Sequence, residues 1–278
     1  MLKFSVLMSV YKNEKAEYLK QAVDSILSQT LMPNEIIIVK DGILTNELEQ
    51  VINTYLSNYK NLIKIVSFCE NRGLGLALRD GILACNNEYI ARMDTDDIAE
   101  PDRFEQQFNY LKLHPELAIL GSWIKEFSDN LKNSDTVTNL PCTHEEILNF
   151  AKKRNPFRHM TVILKKSAVI GSGNYRDFLW FEDYDLWVRM FNKGYIGANL
   201  PLYLVNVRAE NSMFARRGGW KYLKQDLKFQ KFLYSFEFIT MAQFMQNVVM
   251  RSIVRLLPNV IRILIYKHLL RRKLLRGI

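Results

Sequence analysis

Apolar and polar positions follow two alternating rhythms through the first half of the chain. Phe4 to Val10 is a short apolar run ending in Tyr11, Lys12 and Asn13, the pattern of a buried strand followed by a loop. In the next segment Leu19, Ala22, Val23, Ile26 and Leu27 recur at helical spacing, and Pro33 follows the helix end. EIIIVKDG then predicts a second strand, and its four successive apolar residues, Ile36 to Val39, suit a parallel sheet covered by helices on both faces. A helix from Asn46, carrying Leu48, Val51, Ile52, Tyr55 and Leu56, leads to the strand LIKIVSF, which completes βαβαβ. Residues 71–85 read as a Gly-containing turn running into a helix, EYIARM as a strand, PDRFEQQFNYLKLHPE as a helix and LAILGSWIKEF as another strand. Strands alternating with helices predict an α/β fold, Rossmann-like, with a mixed, mainly parallel sheet between helices.

The second half is less regular. Residues 129–139 are polar and read as a loop, HEEILNFAKKR as a helix, and the apolar stretch after His159 as a strand. Turn residues around Gly171 and Gly173 lead into FLWFED, where Glu182 and Asp183 open a helix continued by Leu186, Trp187, Met190 and Phe191. The boundaries expected are a catalytic domain over 1–220 and a helical C-terminal tail over 221–278.

Composition narrows this reading. A chain of 278 residues, 48% hydrophobic and without low-complexity tracts, buries a sizeable core. Cys69, Cys85 and Cys142 are widely spaced and odd in number, which suits a reducing cytosol. The start, MLKFSVLMSVYKNE, turns polar too soon for a signal peptide. The net charge of +9 is carried by the last part of the chain: eight Lys or Arg and no acidic residue follow Glu237, leaving 30 basic against 29 acidic residues before it. A nucleic-acid-binding enzyme would spread its basic residues around a cleft, so nucleic acid is not an expected partner.

Chemistry concentrates in YIARMDTDDIAEPDR. Asp94, Asp96 and Asp97 place three carboxylates within four residues at the mouth of a strand. Hard oxygen ligands at that density suit Mg²⁺ or Mn²⁺, although acidic residues before a helix also serve as caps. Open parallel sheets bind ligands at the carboxyl ends of their strands. Ser9, Tyr11, Asp41 and the Asp94 cluster all fall at such ends. The GLGLAL segment fails as a dinucleotide fingerprint, because it lacks the third glycine and lies in the wrong βα unit.

Taken in order, SVLMSVYKNE, EIIIVKDG, the NRG turn, RMDTDD with PDRF and Gln107, and WFEDYDLW resemble the inverting family 2 glycosyltransferases of the bacterial surface-polysaccharide type. The resemblance spans residues 1–210. It implies a nucleotide-sugar-binding glycosyltransferase fold and a nucleoside diphosphate sugar donor, most often a uridine one. Tyr11, Glu14 and Asp41, with Ser9 and Arg72 as further candidates, would hold the base and ribose. Asp94 would lie by the ribose or metal, Asp96 would bind Mn²⁺ or Mg²⁺, and Asp183 would be the catalytic base. His159, Trp180 and Glu182 are candidates for an acceptor or secondary site; a histidine alone is as readily structural. The acceptor implied is a glycan or lipid-linked glycan. Some relatives add a metal-ligating histidine in the segment read here as YLVNVRAENSMFARRGG, which has none.

The tail suggests where such an acceptor is met. Its longest charge-free stretch, Phe238 to Met250, has 13 residues, too few to span a bilayer. Arg251, Arg255 and Arg262 share a helical face opposite Ile253, Leu257 and Val260, with Pro258 breaking the segment. That pattern suits helices lying on an anionic membrane, and therefore a peripheral place on the cytoplasmic face of the cell membrane. Helices packed against the body are the alternative for the tail. For the whole chain, the rival functions are a sugar nucleotidyltransferase, which would need a Gly-rich basic loop near the N-terminus, and a non-catalytic binding protein.

Overall fold

The computed structural model describes residues 2–127, 136–208, 218–258 and 272–273. The strands are β1 (Phe4–Val10), β2 (Glu35–Lys40), β3 (Ile63–Ser67), β4 (Tyr89–Arg92), β5 (Ile98–Ala99), β6 (Leu117–Phe127), β7 (Thr136–Thr138), β8 (Ile163–Lys165), β9 (Ile196–Arg208) and β10 (Arg272–Lys273). The helices are α1 (Ala16–Leu27), α2 (Asn46–Asn58), α3 (Leu74–Ala84), α4 (Arg103–Leu113), α5 (His144–Ala151), α6 (Lys166–Gly171), α7 (Glu182–Asn192), α8 (Gly219–Ser235) and α9 (Met241–Leu256).

One sheet runs in the order β10-β7-β6-β8-β4-β1-β2-β3, and β9 pairs with β6 and β5. Parallel pairing joins all the long strands: β3, β2, β1 and β4 in one half, β6 and β9 in the other. The antiparallel partners β5, β7, β8 and β10 have two or three residues each. The fold is therefore the mixed, mainly parallel α/β sheet expected.

The continuous apolar runs are explained by the two-residue period of a strand. Phe4, Val6, Met8 and Val10 of β1 and Ile36 and Ile38 of β2 enter one apolar layer with α1, α2 and α4. Leu7, Ile37 and Val39 enter the opposite layer with α3, α5, α7 and α8. Gly81 lets α3 approach the sheet, since a Cβ there would come within 2.5 Å of Leu7 Cδ1 and 2.9 Å of Val39 Cγ2.

Two readings from the sequence change. The expected loop at 129–139 contains β7 at its end, while 128–135 lie outside the described residues. The tail is turned the other way round. Arg251 and Arg255 do not face outward but bind Asp226 of α8, at 2.6 and 2.9 Å, and Asp226 is fully buried. Arg262 and Val260 lie outside the described residues. α9 ends at Leu256, just before Pro258. Among the described residues no helix is long and apolar enough to cross a membrane.

Candidate active site

The carboxyl ends of β1, β2 and β4 open into a cavity of about 500 Å³ lined by Ser9, Tyr11, Glu14, Asp41, Asn71, Gly73, Arg92, Asp94, Asp96, Arg208 and neighbours. That size suits a small organic ligand. Chain direction brings these residues together: β1, β2 and β4 are parallel, so the loops after them leave at one edge of the sheet.

At the end of β4 the backbone places one carboxylate oxygen from each of Asp94, Asp96 and Asp97 within 4.8 Å of the others. Asp97 is buried, accepts the Arg208 N–H at 2.9 Å, and leaves its other oxygen without a protein partner. Burial pushes the Asp96 carboxyl up to about 7, with Asp94 and then Glu14 adding repulsion. Asp97 is raised as well, again first by burial and then by Asp96. A trio of clustered carboxylates, two of them desolvated and one with an oxygen left unpartnered, is the donor set that a hard divalent cation satisfies, so these residues fit the implied metal.

The cluster is braced from behind. Arg92, a buried arginine at the end of an otherwise apolar strand, donates to Asp94 and to the Met93 carbonyl. Arg103 Nη2 donates to the Arg92 carbonyl at 2.8 Å, and its Nε to Gln107 at 3.2 Å. Gln107 in turn donates to the carbonyls of Thr161 and Leu120. PDRF and Gln107 therefore hold the carboxylate turn against β6 and the residues before β8.

At the other end, Asp41 shapes the cavity wall. Its carboxylate accepts the Arg72 and Gly73 N–H groups at 2.7 and 3.0 Å and the Asn71 side-chain amide at 2.9 Å. Gly42 makes this possible: its φ is +92°, and a Cβ would sit 2.7 Å from the Asn71 nitrogen. Asn71, not Arg72, reaches the cavity. The Arg72 guanidinium turns away, pairing with Asp80 at 3.0 Å and lying over the Phe68 ring. Glu14 accepts from Thr95 at 2.8 Å, tying the β1 loop to the acidic turn.

Arg208, at the end of β9, was not singled out from the sequence. Its guanidinium lies 3.7 Å from the Tyr18 ring centroid and 4.6 Å from that of Phe127. Its Nε donates to the Asp96 carbonyl at 3.2 Å and its Nη2 to Gln21 at 2.7 Å. It is a fixed cation beside the acidic cluster, at the end of β9. Residues 209–217, which follow it, lie outside the described residues.

Asp183 and Glu182 open α7. Asp183 accepts the Asn155 side-chain amide at 2.6 Å and the Tyr184 N–H at 2.7 Å. The structure does not place α7 among the cavity's lining residues, but it abuts them. A Cβ on Gly75, in the first turn of α3, would lie 3.1 Å from the Glu182 Cβ. Burial pushes Glu182 up to about 8, helped by the Asp183 charge and, less, by Asp94. His159 Nε2 is hydrogen-bonded to the Tyr175 hydroxyl at 3.0 Å, and burial holds the ring well below the usual histidine range. Trp180 adopts a left-handed backbone, φ +68°, stacks one ring face on Tyr222 at 4.8 Å, and is 38% exposed as a residue.

The raised Glu182 has a measurable consequence. The native state holds a proton there that the unfolded chain releases in the ordinary carboxylate range. Its contribution to stability is therefore full at low pH and lost as pH rises toward about 8. Glu182→Gln, neutral throughout, removes that loss. Thermal unfolding in chelator should show the variant's midpoint falling less steeply than the parent's from about pH 5 to pH 8, the difference reaching at most about 1.4 kcal/mol per pH unit. Equal slopes would place Glu182 as an ordinary ionised carboxylate.

Residues 5–171 match the model of the family described as glycosyl transferase family 2. The chain belongs to that family. An amylovoran biosynthesis glycosyltransferase of Erwinia amylovora is 38% identical over 92% of this chain and 94% of its own. An Escherichia coli UDP-Gal:alpha-D-GlcNAc-diphosphoundecaprenol beta-1,3-galactosyltransferase is 36% identical over 97% of both chains. A mannosyltransferase from Pyrobaculum calidifontis, solved with GDP-Man and Mn²⁺, shares the fold with a TM-score of 0.64 at 13% identity, covering 94% of this chain and 72% of that one. In this glycosyltransferase the family match ends at residue 171, so α7 and its Asp183 lie beyond it.

Proposed function

We propose that this family 2 glycosyltransferase transfers a sugar, with inversion, from a nucleoside diphosphate sugar to a hydroxyl of a lipid-linked glycan during bacterial surface-polysaccharide assembly. The observation that carries the reading is the cavity at the strand ends, with the Asp94, Asp96 and Asp97 oxygens at one side and the Asp41-ordered turn at the other. A uridine donor and a diphosphate-lipid acceptor are favoured by the Escherichia coli relative, whose name gives UDP-Gal and a diphosphoundecaprenol acceptor.

In this reading the base and ribose lie along Ser9, Tyr11, Glu14, Asn71 and the loop held by Asp41. Asp94 and Asp96, with Asp97 behind them, would hold Mn²⁺ or Mg²⁺, which when bound supplies charge neutralisation to the departing diphosphate. Arg208 adds a fixed positive charge on the same side. Asp183, held in place by Asn155, takes the proton from the acceptor hydroxyl as its oxygen attacks the anomeric carbon from the face opposite the diphosphate. The new glycosidic bond forms as the carbon–phosphate-oxygen bond breaks, so a single displacement inverts configuration. The exposed Trp180, three residues before Asp183, offers a flat apolar face to the acceptor sugar. Residues 1–220 act as the catalytic unit, and the tail keeps the protein at the cytoplasmic membrane face.

Calorimetry with UDP, with Mn²⁺ and with chelator, tests the donor site. Binding should need the metal, and Asp96→Asn should weaken it by at least about tenfold, while a donor screen with analysis of the product's anomeric configuration tests the transfer itself. Metal-independent binding of equal strength, or retained configuration in the product, would overturn the assignment.

A further inference from the structure

The reversed tail leaves a surface unaccounted for. α9 buries its polar side: Asn247 bonds Gln230 of α8 and the Lys152 carbonyl, and Arg251 and Arg255 bond Asp226. Its opposite side is apolar and outward. Met241, Met245, Val249, Ile253 and Leu256 recur every three or four residues along one stripe, with Met250 beside it, each 49% to 58% exposed. A soluble helix has the reverse arrangement. α8, its partner in the hairpin, turns out a row of lysines, Lys221, Lys224, Lys228 and Lys231, diametrically opposite its buried residues Tyr222, Asp226, Phe229 and Leu233. Lys221 and Lys228 sit over the rings of Trp180 and Phe178, so the lysine row borders the segment that delivers Asp183. From 219 to 258 the acidic residues are the buried Asp226 and the exposed Glu237, so the outward charge is strongly positive.

We infer that the α8–α9 hairpin docks on an anionic lipid bilayer, with the α9 stripe entering the interface and the α8 lysines reaching the phosphates. Charge complementarity selects this occupant. A second copy of the chain would set one lysine row near another, whereas anionic headgroups above an apolar layer match both features at once. α9 is 16 residues long, and no described helix can span a bilayer, so the stripe lies along the surface. Lys221 and Lys228 lie over the Trp180 and Phe178 rings, just before α7, so docking this lysine row brings the segment that leads into α7 beside the membrane, where a lipid-linked hydroxyl is presented. The docking takes its purpose from the lipid-linked acceptor proposed above, but its geometry stands without it.

Flotation of the full chain with vesicles of phosphatidylglycerol and phosphatidylethanolamine, against pure phosphatidylcholine, tests the inference. The parent protein should float with the anionic vesicles. Lys224, Lys228 and Lys231 changed together to Ala should weaken partitioning by at least about tenfold at 0.15 M salt. Met245→Asp with Ile253→Asp should abolish it at 0.15 M salt, because charged side chains on the stripe cannot enter the apolar layer and are repelled by the anionic headgroups. All five positions are exposed, so thermal midpoints should stay near the parent's, and transfer to a water-soluble diphosphate acceptor should be unchanged in both variants. A parent protein that ignores anionic vesicles, or variants that bind as the parent does, would overturn the inference. So would a dimer in solution that the Met245→Asp, Ile253→Asp variant dissociates, since the stripe would then be a subunit interface. Failure of the glycosyltransferase reading would show separately, as no transfer to the soluble acceptor by the parent.

Discussion

Asp183→Asn should lower turnover by about 10² to 10⁴ while leaving UDP and metal affinity within about twofold of the parent. The substitution keeps the shape of the side chain and removes its ability to accept a proton, and Asp183 lies on α7, outside the Asp94, Asp96 and Asp97 trio. Structure also ranks the substitutes. Glu182, pushed up to about 8, carries its proton at neutral pH. Asp185 is buried against Arg189 at 2.7 Å. His159 has its Nε2 engaged by Tyr175. Steady-state rates with calorimetry on the same preparation check the expectation. Normal turnover by Asp183→Asn would remove it as the base, and a parallel loss of UDP binding would mean that it shapes the donor site instead. Asn155→Ala should lower turnover less, since it frees the carboxylate without removing it.

How far the sequence showed this depends on the range of each signal. β1, β2, β3 and β6 and the helices α1 to α4 are legible because burial on both sheet faces writes an apolar run and helical packing writes a periodic one. β9 is not, because Gly197, Asn199, Pro201 and Asn206 interrupt its pattern and its pairing with β6 shifts register three times. β5, with two residues, and α6, with six, carry no period to read. The acidic turn stood out because three carboxylates in four residues demand an explanation. Arg92 left a readable trace, a charge inside an apolar strand. Arg208 left none: its place is set by Tyr18, Gln21 and Asp97, residues more than 100 positions away. The polarity of α9 shows the limit most clearly. Its two faces are plain in the sequence, but which one points inward is decided by Asp226, on a different helix.

Asp226→Asn should destabilise the protein by about 3 to 5 kcal/mol, the cost of leaving buried cations without their counter-charge. Asp226 is fully buried and accepts from both Arg251 and Arg255, whose guanidiniums are mostly covered; Arg255 also lies over the Tyr222 ring at 4.4 Å. At this chain length that is a fall of roughly 6 to 20 °C in thermal midpoint, read by scanning calorimetry. Removing residues 238–278 should do similar harm from the other side, since it leaves Asp226 charged and uncovers Gln230. Loss of membrane binding on truncation would therefore be confounded with loss of fold. The triple change Asp226→Leu, Arg251→Met and Arg255→Met separates the two, because replacing a whole buried ion cluster with apolar residues of similar volume is commonly neutral or stabilising. It should restore the midpoint to near the parent value while keeping the outward stripe intact. If Asp226→Asn alone left the midpoint unchanged, the two arginines would have to be hydrated in solution, and α9 would be held to the body by something other than this charge cluster.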